Sequence, residues 1–217
     1  MIALIRYSLA TTVHAQRYLA PVLLFCAGVG ISSGSDSGPL PGVYALNAGI
    51  SLVCVTWLTI AVISVEDPVH RAITVVAARS SIRVLAATVL VSALIALGLT
   101  IIGLGMPLLL QPRPVSAADL PAGALAHLLC GSIGIAIGMV CSRLVFRRQG
   151  YALLVALALV TTALLTTGSP PNTLFKRMAN TNHAADALPL AAGLLPIGLA
   201  VLALAAVITH VVSVRRD

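Results

Sequence analysis

Residues 82–106 read IRVLAATVLVSALIALGLTIIGLGM, with Arg83 the single charged side chain. A helix needs about 20 mostly apolar residues to cross the hydrocarbon core of a bilayer, and this stretch is long enough. Five further runs of the same kind flank it, at 18–33, 44–65, 121–142, 151–167 and 188–212. Each run is followed by a helix stop or by charge. Gly34-Ser35-Asp36-Ser37-Gly38-Pro39 closes the first, and Glu66-Asp67-Pro68 the second. Pro107, Pro112 and Pro114 follow the third. Arg143, Arg147 and Arg148 end the fourth, Gly168-Ser169-Pro170-Pro171 the fifth, and Arg215 and Arg216 the sixth. The expected fold is an all-α integral membrane protein, residues 1–217 forming a single transmembrane domain of six transmembrane helices.

Composition points the same way. Hydrophobic residues make up 59% of the 217 residues and charged residues only 9%, and the mean hydropathy is +1.06. A soluble domain carries roughly 25% charge, so this chain cannot coat a water-facing surface. The net charge is +7 and the pI about 9.9. Nucleic acid is not the expected partner: the basic residues sit at the ends of apolar runs, without a basic stripe or interleaved aromatics. Arginine far outnumbers lysine, and alanine is abundant. That usage is associated with GC-rich bacterial genomes, so a multi-pass protein of the bacterial cytoplasmic membrane is expected.

Alternating the connections puts Arg6, Arg17, Arg71, Arg79, Arg83, Arg143, Arg147, Arg148, Arg215 and Arg216 on one side and only Arg113, Lys176 and Arg177 on the other. Short loops obey the positive-inside rule. Both termini are therefore expected in the cytoplasm, and an odd number of spans would spoil the bias. Arg6, His14 and Arg17 break the first segment, which argues against a cleavable signal.

Three segments do not read as spans. In 2–15, Ile2, Ile5, Leu9 and Val13 recur at helical spacing beside Arg6 and His14, the pattern of an interfacial helix. In 66–81, Asp67 is a candidate N-cap and Pro68 suits the first helical position. A short helix is expected there, between spans two and three. In 169–187, Pro170-Pro171 stops the fifth helix, and Leu174-Phe175-Lys176-Arg177-Met178 has room for a turn or two. With a short fifth span, this suggests a hairpin dipping back toward the membrane, where irregular backbone needs cover from protein or water.

Reactive chemistry is sparse. No phosphate loop, H-E-x-x-H pattern or G-x-S-x-G elbow occurs, and no acidic residue lies inside an expected span. Coupled carriers usually bury a carboxylate in the bundle, and voltage sensors need an arginine ladder. Cys26, Cys54, Cys130 and Cys141 lie in apolar runs without a C-x-x-C pair, so small buried side chains are expected rather than metal or redox sites. Asn47, Ser51, Thr56 and Thr59 in span two, and Thr161, Thr162, Thr166 and Thr167 in span five, suit either a substrate path or helix packing. Asn47 stands out because an amide in a membrane needs a partner. His127 and His210 lie near span ends, where an imidazole needs no special function. Gly134 and Gly138 form a G-x-x-x-G spacing, which fits packing within the chain or a dimer contact.

This layout resembles the permease subunit of type-2 ABC exporters. The resemblance spans nearly the whole chain and is architectural, sharpest from Glu66-Asp67-Pro68 to Arg83. It implies a dimer with a second, identical or homologous permease and a dimer of cytoplasmic ATP-binding subunits that hold ATP and magnesium. No cofactor or catalytic residue is implied for this chain. Glu66, Asp67, Pro68, Val69, His70, Arg71 and Ile73 would form a coupling helix docked in the ATPase. Residues 2–15 would be the connecting helix and 169–187 an external re-entrant hairpin. Asn47, Ser51, Thr59, Thr161 and Thr162 would line a path for an amphipathic or hydrophobic substrate at the permease dimer interface. Two other readings stay open: a non-transporting anchoring or assembly subunit, and a secondary carrier or channel with an uncharged path.

Overall fold

The computed structural model describes residues 2–35, 39–65, 68–110, 115–146, 148–181 and 183–215. Its elements are α1 (Ile2–Ala15), α2 (Leu19–Ser35), α3 (Leu40–Ile63), α4 (Pro68–Ala78), α5 (Ser81–Leu110), α6 (Asp119–Val140), α7 (Gln149–Leu165), α8 (Pro170–Ala179) and α9 (Leu188–Val214), with a 3-10 turn at Ala184–Asp186. No strand occurs among the described residues.

Four helices are long and apolar enough to cross a membrane: α3, α5, α6 and α9. Two bent pairs raise the number to six if each counts as one span: α1 with α2, at 77°, and α7 with α8, at 44°. α2 and α7 have 17 residues each, which rise about 26 Å against a core of about 30 Å.

α3 is the centre of the bundle, buried on most of its faces. α6 packs along it, and α2, α5 and α8 complete its surroundings. α7 and α9 are peripheral and expose Leu153, Leu154, Leu157, Leu199, Leu204 and Val207. Leaving one such side chain in water costs roughly 1.5–3 kcal/mol relative to burial, and so many of them on long apolar helices mark a membrane surface. The chain is a multi-pass membrane protein by this criterion.

The G-x-x-x-G spacing serves packing within the chain. A β-carbon on Gly134 would stand 3.0 Å from the Leu52 carbonyl oxygen, and one on Gly138 would stand 2.6 Å from Thr59 Cβ. The two glycines thus let α6 approach the α3 backbone.

Several boundaries differ from the sequence expectation. α3 begins at Leu40, ahead of residue 44, because Pro41 fits the first turn, where no N–H is needed. α5 continues through Pro107 to Leu110. Membrane helices tolerate an internal proline when neighbouring helices cover the freed carbonyl, and Pro107 is buried. Pro170 and Pro171 do not end α7, which stops at Leu165; they open α8.

The break between α7 and α8 is closed by its own side chains. Gly168 takes φ +94°, a left-handed conformation that favours glycine. The Ser169 hydroxyl caps α8 by accepting from Asn172 N and donates to the Ala163 carbonyl at 2.6 Å. Asn172 Nδ2 donates to the Leu164 carbonyl at 2.7 Å. Two orphan carbonyls of α7 are thereby satisfied without water. α8 packs on α3, burying Pro171, Leu174 and Met178 and laying Phe175 on Gly49.

Candidate functional site

Two regions carry the side chains singled out in the sequence: a polar cluster inside the bundle and the short helix α4. In the cluster, the Ser32 hydroxyl of α2 donates to Asn47 Oδ1 of α3 at 2.6 Å, and Asn47 Nδ2 donates to the Gly103 carbonyl of α5 at 3.3 Å. One turn earlier in α3, the Tyr44 hydroxyl donates to the Leu104 carbonyl at 3.3 Å. Asn47 is fully buried, and its amide ties three helices together. Because Ser32 lies late in α2, Asn47 early in α3 and Gly103 late in α5, α3 runs antiparallel to both α2 and α5. At the other end of α2 and α3, Arg17 Nη1 donates to the Ser64 carbonyl at 3.1 Å.

His127 joins this cluster, which corrects the expectation of an imidazole near a span end. It is 1% exposed and sits two turns inside α6. Its Nδ1 donates to the Gly123 carbonyl at 2.9 Å. That tautomer leaves Nε2 an acceptor, and Nε2 has no hydrogen-bond partner. Sequence reasoning placed His127 near a span end and missed Ser32 and Tyr44. The depth of His127 behind Asp119, the first residue of α6, was a usable signal. The pairing of Ser32 with Asn47 had none, since it depends on how two helices meet.

The other path candidates separate into two places. Ser51 and Thr59 are buried in α3. Thr59 donates to the Val55 carbonyl of its own helix at 2.8 Å, while Ser51 Oγ has no partner. Thr161 and Thr162 are exposed on α7, with their hydroxyls on the Leu157 and Ala158 carbonyls. The structure does not bring Asn47 together with Thr161 and Thr162 on one surface: the first is sealed in the bundle and the others face outward.

Of the coupling candidates, Glu66 and Asp67 lie outside the described residues, and the expected N-cap with them. Pro68 opens α4, and Val69 and Arg71 belong to it, though their side chains are also outside the described part. His70 is exposed, as are Ile73 (62%) and Val76 (76%). α4 breaks from α5 at Arg79, φ +55°. α1 breaks from α2 at Gln16, φ +53°. Both α1 and α4 then lie against α5.

In α1, Ile5 packs toward Leu58, Val62 and Val91, while Ile2, Leu9 and Val13 face outward. Among the described residues no group of His, Cys, Asp and Glu is arranged to hold a metal ion, and the four cysteines are free. Set against known proteins, the chain matches no family model, no curated protein and no solved structure.

Proposed function

We infer that the chain is the membrane-spanning permease subunit of an ATP-driven exporter of the type-2 ABC class. In this reading six spans cross the bacterial cytoplasmic membrane with both termini in the cytoplasm, each bent pair supplying one. Two permeases meet in the membrane, and separate ATP-binding subunits hydrolyse ATP with magnesium. The observation that carries the reading is α4. It is an 11-residue helix between two long spans, and it holds Ile73 and Val76 out of the bundle. Exposed apolar groups at the end of a span serve as docking anchors for a partner. The bent α1–α2 entry and the broken α7–α8 pair support it.

The test is co-purification from native membranes followed by transport in vesicles. An ATPase is expected to accompany the chain, and Ile73→Asp or Arg71→Glu is expected to stop transport while insertion stays intact. Unchanged transport in both variants, or transport without any ATPase, overturns the reading. Topology is checked separately with membrane-impermeant thiol reagents. Asp36→Cys is expected to label from outside and Arg147→Cys only after the membrane is opened.

A specific observation favours a second reading, a non-transporting anchoring subunit. Of the candidate path residues, Asn47 spends its amide on bonds to two neighbouring helices, and Thr59 its hydroxyl on its own helix. An accompanying partner whose abundance depends on this chain, with no substrate moved, decides for it.

A further inference from the structure

α1 and α4 flank the first turns of α5 without closing on each other, and a groove of about 550 Å³ opens between them. Leu4 and Tyr7 line it from α1, Ile73, Ala77 and Ala78 from α4, and Arg83 from α5. The two alanines keep the α4 wall low. Leu4 and Ile73 make the lining apolar. The polar groups offered to it, Arg83 and Tyr7, can both donate hydrogen bonds. Arg83 is exposed and makes no hydrogen bond or ion pair with any described residue, and Tyr7 brings a phenol. Thr74, also in the wall, has turned its hydroxyl to the His70 carbonyl at 2.8 Å.

The elements that build the groove carry no carboxylate: no Asp or Glu occurs in residues 1–35 or 68–118. Glu66 and Asp67, the nearest acids in sequence, lie outside the described residues. An unpaired guanidinium beside an apolar wall, at the end of a membrane-spanning helix, complements a molecule that is anionic at one end and hydrocarbon at the other. The planar fork of arginine matches phosphate oxygens, and basic pockets between helices at the membrane surface are where lipid headgroups are held.

We propose that this groove binds the headgroup of an anionic phospholipid. Arg83 donates to the phosphate, Tyr7 adds its hydroxyl, and the upper acyl chain lies along Leu4 and Ile73. The inference needs only that the chain is embedded in a bilayer; because Ile73 is also the docking anchor of the exporter reading, the variants that test it, Arg83→Gln and Ala77→Phe, leave Ile73 in place.

The purified chain alone is reconstituted in phosphatidylcholine nanodiscs with a minority of phosphatidylglycerol. Retained lipid is read by native mass spectrometry, and stability by thermal unfolding. The wild type is expected to retain phosphatidylglycerol preferentially and to unfold later than in phosphatidylcholine alone. Arg83→Gln is expected to lower that retention about fivefold, the effect of one arginine near a charged surface. Arg83→Lys should keep most of it. Ala77→Phe fills the groove without changing charge and should also release the lipid. Arg148→Gln, in a separate groove on α7, should change nothing. Equal loss in Arg83→Gln and Arg148→Gln, retention in Ala77→Phe, no preference for the anionic lipid, or a co-purified protein segment in the groove overturns the proposal.

Discussion

His127 of α6 lies directly against the backbone of Gly103 of α5: a β-carbon on residue 103 would stand 2.5 Å from Nε2 and 3.1 Å from Phe25 Cζ. The same residue accepts from Asn47 through its carbonyl. One glycine thus presents its carbonyl to α3 and its bare α-carbon to α6 and α2.

Gly103→Ala is therefore expected to overpack the junction and destabilise the chain by about 1–3 kcal/mol. Gly98 and Gly105 sit in the same helix with open space where a β-carbon would go. Alanine at either is expected to be neutral or to stabilise by up to about 1 kcal/mol. Unfolding in a fixed detergent compares all three, and equal losses would refute the contact.

Asn47→Ala removes the amide that links Ser32 to Gly103. A loss of about 0.6–1.7 kcal/mol is expected, the range of hydrogen bonds between membrane helices. A double-mutant cycle with Ser32→Ala isolates the pair. Additive effects would mean the 2.6 Å bond contributes nothing measurable.

For Gly138, alanine is expected to cost about 1–3 kcal/mol, since α6 must retreat from Thr59 and the Thr56 carbonyl. Gly131→Ala, whose nearest neighbour is Ala96 at 3.9 Å, is the control. The loss should appear in the isolated chain, because the contact lies within it. A variant that only shifts the oligomeric state would contradict this.

Ser169→Ala and Asn172→Ala each uncover a carbonyl at the end of α7. By analogy with other helix caps, each should cost about 0.5–2 kcal/mol. The effect is expected to be local: hydrogen exchange should rise across α8 while α3 stays protected. Uniform loosening would show that the break is not held by these two side chains.

The spans were legible because lipid imposes one simple demand, long apolar runs with their backbone bonds made internally. The run at 82–106 was readable for that reason, as was the shortness of α7, whereas α4 was readable from Pro68, which suits a first helical turn. Helix ends were less so, because proline has two meanings. Pro41 and Pro170 start helices and Pro107 lies inside one, and only packing distinguishes these uses. The polar cluster was half legible. Asn47 announced a need for partners through its chemistry. Ser32, Tyr44 and His127 became its neighbours through pairings between helices distant in sequence, which no local pattern records. The G-x-x-x-G spacing was legible as a close contact but not as a contact with α3.

The α3–α6 packing has a consequence for synthesis. The ribosome delivers α3 early, while the glycine face that covers Thr56 and Thr59 emerges only after residue 138. Throughout that interval the future centre of the molecule has lipid or an insertion factor in place of its main neighbour. A nascent chain stopped before Asp119 should consequently remain bound to the insertion machinery or be degraded, and release should coincide with the arrival of α6.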